Sequence, residues 1–208
     1  MDNVKILIIS LFGLILSYSV SGQSASYTEV VKAFQSSYLH EATGDLQSSI
    51  QDLKNVYNEE SYEINLRLGW LTYSSGLFSE SQGYYNRAVT LKPFAIEPRF
   101  GLIYPTAAMG NWNIVEAQYK KIIEIAPGNT IAMHRLGLVY YGRKDYEAAE
   151  KLFDKVVNLY PFDYDALLML AWTKLQLKKY REAKVLFNKA LMNSPGGQSA
   201  LEGLDLLE

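Results

Sequence analysis

The residues that could perform catalysis are few and scattered along this chain of 208 residues. It has two histidines, His40 and His134, and no cysteine. A nucleophilic triad or a zinc site needs several such groups at defined spacing. Carboxylate pairs such as Glu59 and Glu60 fall where a solvent-exposed loop is expected. There is no Gly-rich phosphate loop, no Gly-x-Ser-x-Gly and no His-Glu-x-x-His motif. The sequence therefore predicts no enzyme, no cofactor site and no metal site.

Large aromatic and aliphatic residues, in contrast, recur at the three- and four-residue spacing that places side chains on one helical face. Aromatic side chains combine a large apolar area with a polar edge, and they are enriched at binding hot spots. We predict that this face lines a groove that binds a partner. The alternative is that these residues pack against the next helix as core. The residues concerned are Leu66, Trp70, Tyr73, Phe100, Tyr104, His134, Leu138, Tyr141, Leu168, Trp172 and Leu175.

The helices that must position these side chains belong to a sequence repeat. Prolines recur at a constant interval of 34 residues, at Pro93, Pro127, Pro161 and Pro195. A fixed period of this length indicates a chain built by stacking one supersecondary unit. The clearest unit reads Met133-x-x-Leu136-Gly137-x-x-Tyr140, then Ala149-x-x-x-Phe153, then Pro161. Only Gly142-Arg143-Lys144 separates its two helical patterns, so the pair must form an antiparallel hairpin.

This pattern resembles the tetratricopeptide repeat. The resemblance implies an all-α fold, a right-handed superhelical solenoid of antiparallel helical hairpins, whose first helices line a concave surface that recognises ligands. We place the repeats at about residues 27–61, 62–95, 96–129, 130–163 and 164–197, with a short cap helix at 198–207. The solenoid as a whole then covers residues 23–208.

The third unit differs from its neighbours. Ile103, Val115 and Ile122 stand where neighbouring units carry smaller residues, so its helices should approach less closely. Pro105 lies inside its expected first helix, where it removes a backbone hydrogen bond and crowds the carbonyl of Gly101. We therefore expect a kink or an early end near Tyr104, and a local change in superhelix curvature.

The first 22 residues have the character of a signal peptide. Lys5 gives a positive start, residues 6–16 are almost wholly apolar, and small residues precede Gln23. The apolar run is short for a transmembrane helix. We expect cleavage before Gln23, no membrane span after cleavage, and an exported protein, either periplasmic or secreted. An anchor that is retained uncleaved is the alternative.

Charge and composition restrict the class of partner. The net charge is −2 and the charges are dispersed, so there is no basic stripe for nucleic acid. We expect a protein–protein interaction scaffold of the cell envelope, which binds a peptide segment or a partner helix in its groove. The alternatives are an envelope glycan- or peptidoglycan-binding module, since aromatic rows also stack on sugars, and a structural protein that self-associates.

Overall fold

The computed structural model describes residues 25–208, and this part of the chain consists of eleven α-helices joined by short turns. The predicted all-α solenoid of helical hairpins is confirmed. The predicted signal peptide, residues 1–22, and its cleavage site lie outside the described residues. The helices are α1 (Tyr27–Ala42), α2 (Leu46–Lys54), α3 (Tyr62–Ser74), α4 (Phe78–Leu91), α5 (Glu97–Ala108), α6 (Trp112–Ile125), α7 (Thr130–Gly142), α8 (Tyr146–Leu159), α9 (Tyr164–Gln176), α10 (Tyr180–Asn193) and α11 (Gln198–Asp205).

Each hairpin reverses direction through one residue with left-handed backbone. Glycine serves in the earlier repeats, as at Gly110 with φ of 74°, but lysine takes its place at Lys144 and Lys178, with φ of 63° and 60°. This conformation costs a residue with a side chain about 1 kcal/mol. Hydrogen bonds across the turn offset that cost, because the N–H of Asp145 donates to the carbonyl of Tyr140 at 2.9 Å.

The core of a hairpin forms where an aromatic ring of the second helix lies on a small residue of the first. Phe153 is completely buried, and a Cβ atom added to Gly137 would lie 2.7 Å from its ring. The same arrangement pairs Tyr85 with Gly69, where the distance would be 2.9 Å. Both distances are far below van der Waals contact, so glycine is required for the helices to approach this closely.

Tyr85 also extends into the following hairpin. A Cβ atom added to Gly101 of α5 would overlap the Tyr85 ring, and one added to Gly203 of α11 would overlap Phe187 in the same manner. The ring of Tyr85 is therefore enclosed between α3 and α5, and it joins two repeats. Gly101 thus has a packing role in addition to the one expected from its position four residues before Pro105.

The helices form two layers that differ in spacing. Among the first helices, α3 contacts α5, α7 contacts α9, and α9 contacts α11. The second helices α2, α4, α6, α8 and α10 lie farther apart, since no Cα atom of one lies within 8 Å of another. Because one layer is closely spaced and the other is spread, the stack curves toward the first helices. The predicted groove residues therefore lie on the concave side.

The inner layer is interrupted at the third repeat, as it also is between α1 and α3, where no Cα atoms approach within 8 Å. No Cα atom of α5 lies within 8 Å of α7, and a cavity of about 590 Å³ lies beside them. Ile103 and Val115 line this cavity from the core side, where they are buried. The interruption falls in the repeat whose small residues are replaced by larger ones.

The early end predicted near Tyr104 is wrong. Helix α5 continues to Ala108, the same repeat position at which the neighbouring first helices end. Beyond the proline the regular backbone hydrogen bonds of the helix resume, since the N–H of Met109 donates to the carbonyl of Pro105 at 3.0 Å. The carbonyl crowded by the proline ring belongs to Gly101, which has no Cβ atom to add to the crowding. The predicted kink stays a prediction.

The contact between Gly101 and Tyr85 predicts the effect of adding one methyl group. Gly101→Ala should lower the free energy of unfolding by about 1–3 kcal/mol, because the new atom overlaps a buried ring. Gly83→Ala is the matched control, since Gly83 lies exposed in helix α4 with open space around it. That change should raise stability by about 0.5–1 kcal/mol. Urea denaturation followed by circular dichroism measures both, and equal stability of the two variants would contradict the packing described.

Candidate functional site

The eleven predicted groove residues all lie on α3, α5, α7 and α9, and none of them is fully buried. They divide into an open part on α3 and α5 and a more covered part on α7 and α9. In the open part, 43% of Trp70 and 51% of Tyr104 are exposed. Tyr73 lies between them, with ring centroids 6.1 Å from Trp70 and 5.4 Å from Tyr104. These three rings form one continuous aromatic surface.

A cavity of about 560 Å³, which we call the aromatic cavity, opens beside this surface between α1, α3 and α5. Four of the predicted residues line it: Leu66, Trp70, Phe100 and Tyr104. The sequence prediction missed the contribution of α1, because the first repeat is too diverged to align its face. The further lining residues are Phe34, Tyr38, Tyr62, Glu63, Arg67, Tyr85, Glu97 and Gly101.

The guanidinium of the aromatic cavity is already neutralised. Arg67 pairs with Glu41 at 2.6 Å and lies over the ring of Tyr38, 3.9 Å from its centroid. The indole N–H of Trp70 donates to the same carboxylate at 2.7 Å. Burial raises the pKa of Glu41, but the hydrogen bonds from Arg67 and Trp70 outweigh that effect, so the pKa lies below its ordinary value. Glu41 is therefore ionised and holds Trp70 in place.

Two exposed carboxylates, those of Glu63 and Glu97, also line the cavity. Glu97 accepts a hydrogen bond from the hydroxyl of Tyr62 at 3.2 Å, and Glu63 accepts one from Ser61 at 3.4 Å. Burial, followed by the charge of Glu97, raises the pKa of Tyr62 to about 12, so Tyr62 stays a hydrogen-bond donor. Neither Glu63 nor Glu97 forms a salt bridge within residues 25–208.

Tyr85 reaches the cavity from beneath. Its side chain is 3% exposed, yet it lines the aromatic cavity, because Gly101 leaves the gap through which it extends. Its hydroxyl has no hydrogen-bond partner in the part of the chain that the structure describes. Burial raises the pKa of Tyr85. Tyr85 occupies the repeat position of Phe153, and glycine at 101, where the fourth and fifth repeats hold Arg135 and Met169, is the sequence signal of its longer reach.

The cavity beside α5 and α7 shares Phe100 and Tyr104 with the aromatic cavity, so the two are continuous. Tyr73 and Leu138 of the predicted row also line it. Arg135 lies at this second cavity and forms no salt bridge with any described residue. The charge of the channel thus changes along its length, from unpaired carboxylates at α3 and α5 to an unpaired guanidinium at α7.

The C-terminal part of the predicted row is covered by the cap helix. Trp172 packs edge-on against Phe187, with ring centroids 5.2 Å apart, and its indole N–H donates to Ser199 of α11 at 3.0 Å. Leu168 and Leu175 are half-buried against the same core cluster. Tyr141 is also half-buried, because it packs on Tyr146. This part of the inner face offers less free apolar surface than α3 and α5.

His134 lies in a cleft near the loop between the fourth and fifth repeats, which shares Ile131 and Arg135 with the cavity beside α5 and α7. Its ring packs edge-on against Phe153, and its Nε2 atom is buried without a hydrogen-bond partner in the described chain. Asp163 and Asp165 line the cleft. Burial is the main influence and lowers the pKa of His134. Within residues 25–208, no three His, Cys, Asp or Glu side chains are grouped to hold a metal ion. No described helix has the length and apolar character to cross a membrane.

Comparison with known proteins identifies the repeat. Residues 129–192 match the family model of the tetratricopeptide repeat. A tetratricopeptide repeat protein from Parabacteroides merdae ATCC 43184 has a TM-score of 0.75 at 22% identity, covering 86% of this chain and 72% of that one. YrrB, described as a tetratricopeptide protein with an unusual peptide-binding site, has a TM-score of 0.70 at 13% identity, covering 86% and 94%. These structural likenesses concern the fold alone.

One curated relative is human protein O-mannosyl-transferase TMTC1. The identity is 29% over 112 residues, which cover 54% of this chain and 13% of that protein. The chain therefore matches only a small part of the length of this relative.

The burial of His134 predicts how stability depends on pH. Its folded-state pKa is lowered, so the unfolded chain takes up a proton first as the pH falls below about 6.5. Stability should therefore fall with pH below that value and level off once the folded state is protonated as well. His134→Gln should flatten this part of the curve. Urea denaturation of both proteins from about pH 8 to pH 5 tests this. The difference between their free energies of unfolding at pH 8 gives the cost of the substitution itself. Parallel curves for the two proteins would contradict the prediction.

Proposed function

Because the chain is a tetratricopeptide-repeat protein, we propose that it is an interaction scaffold whose concave groove binds a peptide segment or helix of a partner protein. The open aromatic surface of Trp70, Tyr73 and Tyr104 carries this proposal. These three adjacent aromatic rings leave apolar area exposed to water. A partner that covers this area gains about 25 cal/mol of binding free energy per Å² of apolar surface buried. Such anchors dominate binding energy in protein interfaces.

The shape of the groove supports an elongated ligand. The aromatic cavity and the cavity beside α5 and α7 are joined through Phe100 and Tyr104, so a bound segment can pass from one into the other. Pockets along a continuous channel give specificity for successive side chains of a peptide. YrrB, a protein of the same fold, has an unusual peptide-binding site, and this is consistent with the same use of the groove here.

We propose a binding role without catalysis. The relative TMTC1 is named a mannosyl-transferase, but the similarity covers 13% of that protein. The groove residues are mainly aromatic and aliphatic, and the buried His134 lies in a different cleft from Glu63 and Glu97. An activity of the whole relative therefore gives no reason to expect transfer chemistry in this groove.

A glycan is the second candidate ligand, since exposed aromatic rings also stack on sugars. Flat, free rings suit this role best. Here the rings are tilted against one another, by 44° between Trp70 and Tyr73 and by 36° between Tyr73 and Tyr104. The indole N–H of Trp70 is also engaged by Glu41. These features favour a peptide ligand over a sugar.

Tyr104 and Tyr180 provide a matched test of the groove. They are 51% and 53% exposed, but Tyr180 begins α10 in the outer layer and lines neither of the two joined cavities. Peptides selected from a displayed random library on the full-length chain should bind Tyr104→Ala about tenfold more weakly or worse. They should bind Tyr180→Ala as they bind the wild type. Fluorescence polarisation with labelled peptides measures both.

Three outcomes would overturn the peptide-binding proposal. The library yields no binding peptide, or Tyr104→Ala and Tyr180→Ala bind alike, or a glycan array that includes peptidoglycan fragments is bound while the library is not. Light scattering across protein concentrations separates the remaining alternative, because a groove filled by a second copy gives a mass that rises with concentration.

We also propose that the protein is exported to the periplasm or secreted, on the basis of the charge and apolar pattern of its first 22 residues. N-terminal sequencing of the protein from its native host should give Gln23 as the first residue. A retained Met1 in the membrane fraction would instead indicate an uncleaved anchor.

A further inference from the structure

The aromatic cavity carries an excess of negative charge. Glu63 and Glu97 line it without an ionic partner among the described residues, whereas the one guanidinium in its wall, Arg67, is paired with Glu41. An apolar side chain that filled this cavity would remove water from the side of Glu63 and Glu97 that faces it and would supply no hydrogen-bond donor in its place. Removing an ion from water without a partner is costly. The cavity therefore favours an occupant that brings a positive charge.

The walls of the cavity suit a cation with a long apolar stem. Trp70, Phe100 and Tyr104 present aromatic rings toward the same space as the two carboxylates. A ring face attracts a cation electrostatically, and the attraction grows when water is displaced. The aliphatic part of a lysine or arginine side chain packs against such rings while its charged end reaches a polar group.

The floor of the cavity supplies an independent indication of a ligand. The hydroxyl of Tyr85 belongs to a side chain that is 97% removed from solvent, and it has no protein partner in the described chain. The hydroxyl keeps access to the cavity, so a ligand that excludes water from this space must offer it a hydrogen-bond partner. Its oxygen accepts hydrogen bonds, so an ammonium or guanidinium group in the cavity satisfies it.

We infer that the aromatic cavity binds a lysine or arginine side chain of the partner peptide, held between Glu63 and Glu97, the aromatic walls and the hydroxyl of Tyr85. This rests on the proposed peptide-binding function and adds the chemical class of the residue that is recognised.

The first test is the composition of peptides selected on the full-length chain. Peptides from the random library should be enriched in lysine or arginine at one position on the wild type. The enrichment should disappear on the Glu63→Gln, Glu97→Gln double variant. Glu147→Gln is the matched control, because Glu147 also lies exposed in the first turn of a helix but belongs to α8 in the outer layer.

The second test measures one such peptide by fluorescence polarisation. Replacing its basic residue with methionine should weaken binding to the wild type about tenfold. The same replacement should have little effect on the double variant, so that the two changes are not additive. Tyr85→Phe keeps the ring and removes the hydroxyl. It should weaken the basic peptide severalfold, leave the methionine peptide unchanged, and not reduce stability in urea.

The possible results separate this inference from the proposed function. If peptides are recovered without basic enrichment, or if the double variant selects the same peptides as the wild type, the cation site is wrong and the groove stands. If no peptide is recovered on the wild type, the proposed function fails and the inference fails with it. Equal loss of both peptides on Tyr85→Phe would assign that hydroxyl a structural role and remove it from the site.

Discussion

The contact of an aromatic ring with a residue that lacks a Cβ atom is the constraint on which this solenoid depends. Phe153 on Gly137 and Tyr85 on Gly69 set how closely the two helices of a hairpin approach. Tyr85 against Gly101 then sets how closely consecutive hairpins follow one another. Since these contacts lie on the side of the first helices, they draw that layer together and leave the second helices apart. The curvature of the solenoid, and hence the existence of a concave face, follows from where the small residues are placed.

The same contacts decide which part of the concave face is free. Where α11 closes the stack, Trp172 is held between Phe187 and Ser199 and contributes mainly to packing. Where Ile103 replaces a small residue, α5 and α7 separate and a cavity opens. The surface of Trp70 and its neighbours lies on the N-terminal side of this gap, and no element of the described chain covers it. Binding surface appears where the regular repeat is interrupted, and packing prevails where it is regular.

The sequence predicts the periodic features well, because they have a local physical cause. Helical spacing, turn length and the 34-residue interval determine the hairpins and the inner face, and the groove residues lie on that face. The sequence predicts less well what depends on neighbouring repeats. The early end expected at Pro105 does not occur, because tertiary packing holds α5 together beyond one lost hydrogen bond. Distances between repeats decide that Arg67 pairs with Glu41 and that Arg135 forms no salt bridge with a described residue. The periodicity of the sequence does not contain these distances.

The position of Tyr85 has a consequence for how this protein can change. Its ring supports the junction of two repeats, while its hydroxyl faces the space where a ligand is expected. A ligand that engages this hydroxyl binds only the folded chain and so strengthens the junction by mass action. Conversely, a variant that replaces Tyr85 must still pack closely against Gly101. Positions 85 and 101 are therefore expected to vary together or not at all, and recognition in this groove cannot drift independently of the stability of the fold.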